Sequence, residues 1–174
     1  MCLNHPSLYL RCNMKTAKKR SQMQEKSTAK DFNAKVVIAS GAKWNAKGDV
    51  RNDRFLIECK TTEKEYFSVT ANIWEKIADE ATRDHMRIPL LAVDLEYWGM
   101  RLIVFRLKDF DKEKHPLLPN PMIAMYGKKS FRVTMKPFWE QSETFVPFTI
   151  CGNTINELCC MKLSDFLNEF KEEF

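Results

Sequence analysis

Residues 47–62, with the sequence KGDVRNDRFLIECKTT, constrain more than any other stretch what this chain can fold into. Asp49 follows a glycine, and after a short basic loop a strand-like run of three apolar residues leads into Glu58 and Lys60. Strands are depleted in Glu and Lys, so two such residues at the end of an apolar run are unusual. The stretch predicts a β-hairpin that holds charged side chains close to a hydrophobic core.

The two faces of the second strand in this hairpin differ in chemistry. Because successive side chains point to opposite faces of a strand, Glu58 and Lys60 share one face. The other face is apolar and suited to a core, with Phe55, Ile57 and Cys59. A carboxylate and an ammonium group near a core are costly unless they are paired or bind a metal ion. The charged face is therefore a candidate functional site.

Asp49 lies at the end of the preceding strand of the hairpin, where its carboxylate can join Glu58 and Lys60. Two carboxylates and a lysine at one place would bind a hard divalent cation such as Mg²⁺, with the lysine near an attacking water. Phosphodiester hydrolysis requires a site of this kind. The alternative is a strand edge with a solvated Glu58–Lys60 pair, in which Asp49 is a turn residue after Gly48.

The composition is that of a soluble globular protein. The 174 residues are 44% hydrophobic and 29% charged, which suits one domain with a hydrophobic core and an additional arm or subdomain. No apolar run approaches the roughly 18 residues that cross a bilayer, and no secretory signal is recognisable. The six cysteines lack zinc-ligand spacing, so we expect reduced thiols in an intracellular, cytoplasmic protein with no membrane partner. The histidines, including His115, are expected at the surface.

Positive charge is concentrated in the first part of the chain. Residues 1–48 hold ten of the 28 Lys and Arg residues but two of the 23 Asp and Glu residues, so this part carries +8 and the remainder −3. Phosphate neutralisation supplies most of the sequence-independent affinity for nucleic acid, so we expect a polyanionic partner. Residues 1–20 are expected to form a basic, flexible arm, in which Lys18, Lys19 and Arg20 are candidate DNA contacts. A solubilising tail is the alternative, and Met14 could serve as a second start that makes residues 1–13 dispensable.

The order of elements is readable up to about residue 107. A helix is predicted from Ser21, which is suited to be its N-cap, and a strand over residues 35–39. Apolar residues at three- and four-residue spacing predict a second helix over residues 70–84, and two more strands follow by residue 107. We therefore expect an α/β fold with an αβββαβ core over residues 21–107, in which helices flank a central mixed sheet.

The loop after the first strand is a candidate DNA contact. It offers backbone, hydroxyl and ammonium groups to a phosphate backbone, and the residues concerned are Ser40, Gly41, Lys43 and Lys47. A plain surface turn with a packing Trp explains the loop equally well. Residues 108–174 are expected to form a C-terminal extension packed on the core, with short strands over 129–135 and 144–151 and a final helix over 161–174 capped by Ser164.

The pairing of Gly-Asp at one strand end with Glu-x-Lys on the next strand resembles the PD-(D/E)xK nuclease superfamily, which has the restriction-endonuclease-like fold. Within it, residues 22–96 look like the Holliday junction resolvases of phage and archaeal type. The proline of the superfamily motif is replaced by Gly48. Five ordered blocks carry the resemblance: residues 24–26, 40–42, 47–50, 57–62, and Lys76 with residues 80–81.

The resemblance implies a role for each residue of the candidate site. Asp49 and Glu58 would coordinate Mg²⁺ or Mn²⁺, and Lys60 would orient or activate the hydrolytic water. Glu25 would match the acidic residue that the first helix adds to the metal site in many of these nucleases. Ser40 would lie with its glycine neighbour in the loop that approaches the scissile strand. Members of this type are commonly homodimers that cut two strands of DNA.

The expected activity is therefore a metal-dependent DNA endonuclease, with Holliday junction resolution as the preferred reaction. The same core also serves repair, restriction and nicking enzymes, because a fold does not determine the substrate. A non-catalytic nucleic-acid-binding protein is the alternative from another class. A third hypothesis is an interaction protein whose residues 108–174 mediate assembly.

Overall fold

The computed structural model describes residues 17–37, 48–111, 113–115 and 128–173. Its helices are α1 (Ala17–Asp31), α2 (Ala71–Arg83), α3 (Lys136–Glu140) and α4 (Leu163–Glu169), with 3₁₀ turns at Leu107–Asp109 and Lys171–Glu173. Its strands are β1 (Lys35–Val36), β2 (Val50–Arg51), β3 (Phe55–Thr62), β4 (Tyr66–Thr70), β5 (Ile88–Leu95), β6 (Met100–Arg106), β7 (Ser130–Thr134), β8 (Val146–Cys151) and β9 (Ile155–Lys162).

A seven-stranded mixed sheet forms the centre of the molecule. Its strand order is β1-β2-β3-β5-β6-β9-β8, and β4 pairs with β7 in a second, two-stranded sheet. Strands β3 and β5 run parallel, joined by α2, whereas the other neighbours in the central sheet are antiparallel. The predicted α/β class and mixed sheet are confirmed, and the elements of the central sheet follow the predicted αβββαβ order, with the additional strand β4 inserted before α2.

Apolar side chains cover both faces of the central sheet. On one face Phe32, which follows α1, and Phe166 of α4 pack together with ring centroids 5.9 Å apart. On the other face Trp74 and Ile77 of α2 pack against β5 and β6. Helix α2 matches its prediction closely, since the Thr70 hydroxyl accepts the backbone N–H of Ile73 at 3.3 Å as an N-cap. The core therefore consists of two apolar layers, one on each face of the central sheet and each covered by helices.

The first helix begins at Ala17, so the predicted start at Ser21 is wrong. Residues 17–20 are alanine, lysine and arginine, all good helix formers, which extend the helix beyond the predicted cap. Ser21 lies inside α1, and its hydroxyl donates to Glu25 Oε1 at 3.0 Å. The rest of the predicted arm, residues 1–16, lies outside the described residues, as do residues 38–47.

Strand β4 was not predicted from the sequence. Its residues, YFSVT, are good strand formers, but the run is short and passes directly into α2. Its partner is β7, far along the chain, with Phe67 opposite Val133. A pairing over such a separation leaves no local pattern.

The C-terminal residues complete the central sheet itself. Strand β9 lies between β6 and β8, with Val104 opposite Cys160. The predicted helix over 161–174 is shorter, because Met161 and Lys162 belong to β9 and the helix spans Leu163–Glu169. Ser164 is not its cap, since the Ser164 hydroxyl donates to Asp165 at 3.1 Å instead.

His115 is buried, so its predicted surface position is wrong. It is 4% exposed, with its ring centroid 4.4 Å from that of Phe170 and Nε2 3.2 Å from Glu173 Oε1. Aromatic packing with an acidic partner accommodates a polar ring in a core. Among the described cysteines none forms a disulfide, and burial raises the pKa of the Cys159 thiol to about 12. The described helices include none long and apolar enough to cross a membrane.

Candidate active site

Strand β3 places Glu58 and Lys60 side by side on the sheet face that α2 covers. In the parallel pairing with β5, Glu58 lies opposite Leu91, which belongs to the apolar layer beneath α2. Glu58 is 8% exposed, and Lys60 Nζ lies 2.6 Å from Glu58 Oε1. Cys59 points to the opposite face, into the layer that contains Phe32. The alternation predicted from the sequence is confirmed.

Asp49 is held beside this pair by its backbone and its side chain. Its N–H donates to the Ile57 carbonyl at 3.0 Å, and its carbonyl accepts the N–H of Val37 at 2.9 Å. The carboxylate Oδ2 accepts the backbone N–H of Cys59 at 2.9 Å. These bonds continue the hairpin beyond β2, which pairs with Leu56 and Ile57 of β3. Asp49 is thereby positioned at the level of Glu58.

The electrostatics show that negative charge exceeds positive charge at this place. Burial, and then the charge of Glu58, raise the pKa of Asp49, against the opposing effects of the Cys59 N–H and Lys60. Burial acts to lower the pKa of Lys60, but the hydrogen bond and charge of Glu58, assisted by Asp49, outweigh it, so the pKa of Lys60 is raised. Lys60 is therefore held as an ammonium ion, and a further cation would relieve the remaining repulsion between the carboxylates.

Hydrogen bonds of the Gln24 side chain connect α1 to β3 and β5, the strands at the candidate site. This side chain is 3% exposed, and its amide donates to the carbonyls of Lys60 and Ala92, both at 3.1 Å. Its own carbonyl accepts the Thr61 hydroxyl at 2.7 Å. Sequence reasoning missed this role, because a glutamine in a basic helix gives no sign that it will be buried. Its neighbour Glu25 is consequently fixed on the side of α1 near the hairpin.

Glu25 acts on the candidate site through its charge. Its carboxylate contributes to the raised pKa of Asp49, while Ser21 donates a hydrogen bond to it. In the part of the chain that the structure describes, no group of three or more His, Cys, Asp or Glu side chains is arranged to hold a metal ion. The structure thus brings Asp49, Glu58 and Lys60 together. The role of Glu25 as a metal ligand stays a prediction.

The donor set suits a hard divalent cation. Asp49 and Glu58 offer carboxylate oxygens, and Mg²⁺ is commonly bound by one or two carboxylates with waters and substrate phosphates as its other ligands. Burial raises the pKa of the Cys59 thiol, and its side chain lies on the other sheet face, so a thiolate ligand is not offered. Burial, and then the charge of Glu58, raise the pKa of Asp49, and a cation bound beside it would act in the opposite direction. The residues present fit Mg²⁺ or Mn²⁺.

The residues predicted to contact DNA fall into two groups. Lys18 and Lys19 are exposed on α1. Arg20 instead forms ion pairs with Glu63 and, at 3.0 Å, with Glu96. The other four predicted contacts lie outside the described residues: Ser40, Gly41, Lys43 and Lys47.

Comparison with known proteins finds similarity to solved structures. No protein-family model matches the chain, and no curated protein sequence matches it significantly. Among solved structures, the chain is similar to the 1.6 Å structure of Hjc from Archaeoglobus fulgidus, a Holliday junction resolvase from an archaeal hyperthermophile. The sequences are 16% identical, the similarity covers 65% of this chain and 87% of that chain, and the TM-score is 0.41. A similarity of this extent decides neither fold nor function.

Proposed function

We propose that this protein is a metal-dependent endonuclease that hydrolyses phosphodiester bonds in DNA. The observation that carries the proposal is the Glu58–Lys60 ion pair, 2.6 Å long, on a strand whose neighbouring loop fixes Asp49 beside it. A solvated surface pair, the alternative reading of these residues, is disfavoured because Glu58 is 8% exposed. A buried carboxylate such as Glu58 is costly to maintain even beside the half-buried Lys60, and a catalytic site is a reason to retain it.

Asp49, Glu58 and Lys60 would have different roles in hydrolysis. Asp49 and Glu58 would hold Mg²⁺ or Mn²⁺ through oxygen atoms. When bound, the cation offsets charge on the phosphate and lowers the pKa of water. Lys60, kept protonated by Glu58, donates hydrogen bonds to the attacking water and to a non-bridging phosphate oxygen, whose charge grows in the transition state. Glu25 would add a third carboxylate from α1, the role that the superfamily resemblance implies for it.

The substrate we propose is branched DNA, with the four-way Holliday junction preferred. This step rests on the resemblance of residues 22–96 to resolvases, which also leads us to propose a homodimer that cuts two strands. A 20.5 kDa chain would then elute as a particle of about 41 kDa in gel filtration with light scattering. Nucleases of the same fold that act on other DNA, and a binding protein without activity, are the competing functions.

A cleavage assay tests the activity and its substrate together. A synthetic four-way junction and a linear duplex of the same sequence would be incubated with Mg²⁺ or with EDTA. The wild type should make paired nicks near the branch point with Mg²⁺ alone, and Glu58→Gln should lower the rate at least about 100-fold because the metal and Lys60 both lose their partner. Glu157→Gln, a change of the same kind on β9, should leave the rate unchanged.

Each contrary result identifies a different error. Equal cutting of junction and duplex would retain the nuclease and reject junction selectivity. Cutting that survives EDTA or Glu58→Gln would reject the metal site. Tight DNA binding by a wild type that cuts no DNA would leave a non-catalytic binding protein.

A further inference from the structure

Two cations lie on the same face of the sheet as the candidate site. Lys35 of β1 is directly opposite Arg51 of β2, and Arg51 is directly opposite Leu56 of β3. Directly opposed residues of antiparallel strands share a face, and Leu56 shares its face of β3 with Glu58, two residues further along. The name cation pair is used here for Lys35 and Arg51, which therefore lie on the face that carries Glu58.

Strand geometry places Arg51 close to both carboxylates of the site. It follows Asp49 by two residues, which at 3.3 Å per residue separates their Cα atoms by about 6.6 Å. Glu58 is its diagonal neighbour across the strands, for which a separation of about 7–8 Å is typical. Phosphates of one DNA strand succeed one another about every 3.4 Å along the helix axis. A strand with one phosphate at Asp49 and Glu58 would thus place another, one or two nucleotides away, beside Arg51.

The cation pair is unfavourable within the chain itself. Like charges that are directly opposite on neighbouring strands destabilise a sheet. Lys35 is exposed and makes no ion pair with the described residues. Arg51 reaches Asp84 at 3.3 Å, so this carboxylate offsets part of the charge of one member of the pair. An anion bound between the two cations would relieve their repulsion.

Asp84, at the C-terminal end of α2, is shared between two arginines and holds Arg51 the more loosely. Its Oδ2 lies 2.6 Å from Nη1 of Arg87 and 3.3 Å from Nη1 of Arg51. The Arg87 guanidinium also donates to the Asn52 carbonyl at 2.5 Å and is 12% exposed, whereas the Arg51 side chain is 37% exposed. Because Asp84 keeps Arg87 as a partner, Arg51 can turn to a phosphate without leaving a carboxylate unpaired.

The cation pair borders an open cleft of about 380 Å³. The cleft lies between the turn of the β2–β3 hairpin and the segments that follow α1 and α2. Its charged lining residues are three cations and two acids: Lys35, Arg51, Arg87, Asp53 and Asp84. Positive charge is thus in excess, and the cleft gives a phosphate access to both members of the cation pair.

We propose that Lys35 and Arg51 bind one backbone phosphate of DNA, within about two nucleotides of the phosphate held at Asp49 and Glu58. The inference rests on the proposed nuclease function and adds the contact that aligns the substrate strand with the site. Arg51 offers a planar set of donors that matches phosphate oxygens, and Lys35 adds a point charge beside it. A second anchored phosphate fixes the direction of the strand across the site, which a single contact leaves free.

Salt dependence of binding tests the phosphate site without any cleavage. The full chain would be titrated in EDTA against a labelled four-way junction at several salt concentrations. The double variant Lys35→Gln, Arg51→Gln should bind more weakly, and the slope of log K against log salt should become shallower by about 0.9, the value for one phosphate contact. Circular dichroism should show an intact fold, because Asp84 retains Arg87.

A second double variant provides the matched control. Lys108→Gln and Arg132→Gln remove the same charge from exposed residues that do not line the cleft, and the slope should stay that of the wild type. Equal losses in both double variants would overturn the inference, because net charge alone would then govern binding. An unchanged slope in the variant of the cation pair would overturn it as well.

The single variant Lys35→Gln separates binding from a structural role. Its removal of one of two opposed like charges should leave the urea midpoint no lower than that of the wild type, while binding of the junction weakens. A lower midpoint with unchanged binding would show that Lys35 serves the fold, and would overturn the inference.

Uncharged phosphates locate the contact along the DNA. Junctions would each carry one methylphosphonate, a phosphate analogue without charge, at successive positions beside the bond that the wild type cuts. At one position within about two nucleotides of that bond, the analogue should weaken binding of the wild type but not of the double variant, which has already lost this contact. The same loss in both proteins at every position would reject the proposed placement.

The result can be separated from a failure of the proposed function. If the wild type cleaves DNA with Mg²⁺ but the variant of the cation pair keeps its salt slope, the nuclease stands and the phosphate site is rejected. If that variant loses slope while the wild type cuts no DNA, the phosphate site stands and the nuclease is rejected. If the wild type binds no junction in EDTA at low salt, the phosphate site is rejected whether or not cleavage is seen.

Discussion

Gly48 determines where Asp49 lies. Its φ is +66°, a left-handed conformation that favours glycine, and a Cβ atom added there would lie 2.8 Å from Leu56 Cγ and Cδ1. Leu56 is fully buried, so it has little room to move away. A proline at this position, as in the superfamily motif, would require a negative φ, so the hairpin of this chain needs glycine.

Gly48→Ala should destabilise the protein by about 2–4 kcal/mol, through backbone strain of about 1–2 kcal/mol and overlap with Leu56. Urea denaturation measures the change. Gly99→Ala is the matched control, because Gly99 has a φ of +62° but no atom within 4 Å of the added carbon. Gly99→Ala should lower the free energy of unfolding only by the amount due to backbone strain. Equal losses of stability in the two variants would show that Leu56 does not restrict position 48.

Asp49 makes stability depend on pH in a direction opposite to that of a carboxylate in an ordinary ion pair. Its raised pKa means that the folded chain binds this proton more tightly than the unfolded chain. The contribution of Asp49 is thus favourable at low pH and is lost as the pH rises through its folded-state pKa. The ionised group is a cost to the fold at neutral pH, which a bound cation would relieve.

In EDTA, Asp49→Asn should therefore be more stable than the wild type at pH 7, and the difference should shrink as the pH falls through the raised folded-state pKa of Asp49 towards the ordinary aspartate value. Denaturant midpoints between pH 4 and pH 7 measure this. Mg²⁺ at 100 times its dissociation constant should then stabilise the wild type by about 2.7 kcal/mol and Asp49→Asn far less. Asp53→Asn, at an exposed position of the same hairpin, should behave as the wild type does. A less stable Asp49→Asn at pH 7 would contradict the electrostatic account.

Sequence reasoning could identify the residues whose chemistry is at odds with their surroundings. Glu58 and Lys60 interrupt an apolar strand, and Asp49 follows a glycine at a hairpin, so each is visible as an exception to a local pattern. Gln24 fits its basic helix and shows no such exception. Its contacts depend on β3 and β5, which no local pattern connects to α1.

At the scale of elements, α1 is the support of the site. Gln24→Ala would leave the carbonyls of Lys60 and Ala92 without their donor, at a cost of about 1–3 kcal/mol. Because α1 would also lose its alignment with β3, cleavage should slow by roughly tenfold or more. Denaturation and cleavage rates measured on one preparation check both effects.

Gln22→Ala is the control for this prediction. Gln22 is exposed on the same helix, so its removal should change neither stability nor cleavage. A Gln24→Ala variant with lost stability but unchanged cleavage would show that α1 is structural alone.

Elements with a strong local period were predictable, and those formed by distant pairing were not. Helix α2 shows a regular apolar spacing, which was recognisable in the sequence, whereas the cap formed by Thr70 was not predicted. Strand β4 depends on β7 for its hydrogen bonds. Strand β9 passes directly into α4, so its end was assigned to the predicted helix. Local propensity does not separate a strand from a helix where one follows the other without a turn.

At the scale of the whole molecule, the C-terminal residues are part of the main sheet. Deleting residues 155–174 would remove β9 from between β6 and β8, together with buried Leu158, Met161, Phe166 and Phe170. Each such side chain contributes about 1.5–3 kcal/mol on burial, and a domain has about 5–15 kcal/mol in total. The truncated chain should lose cooperative unfolding, as circular dichroism in urea would show.

Ile155→Ser is the control, because Ile155 is 74% exposed at the start of β9 and should tolerate the change. A truncated protein that unfolds cooperatively as a monomer would favour the hypothesis that residues 108–174 serve assembly.

The place of β9 also has a consequence for protein synthesis. A ribosome makes β3, β5 and β6 well before β9, and at 5–20 residues per second the roughly 56 residues between the ends of β6 and β9 take about 3–11 s. During that interval the nascent chain has the acids and the lysine but an incomplete sheet to hold them. If the chain has the proposed nuclease activity, a cell that makes it meets that activity only after β9 has emerged, and partial translation products are expected to be harmless to the genome.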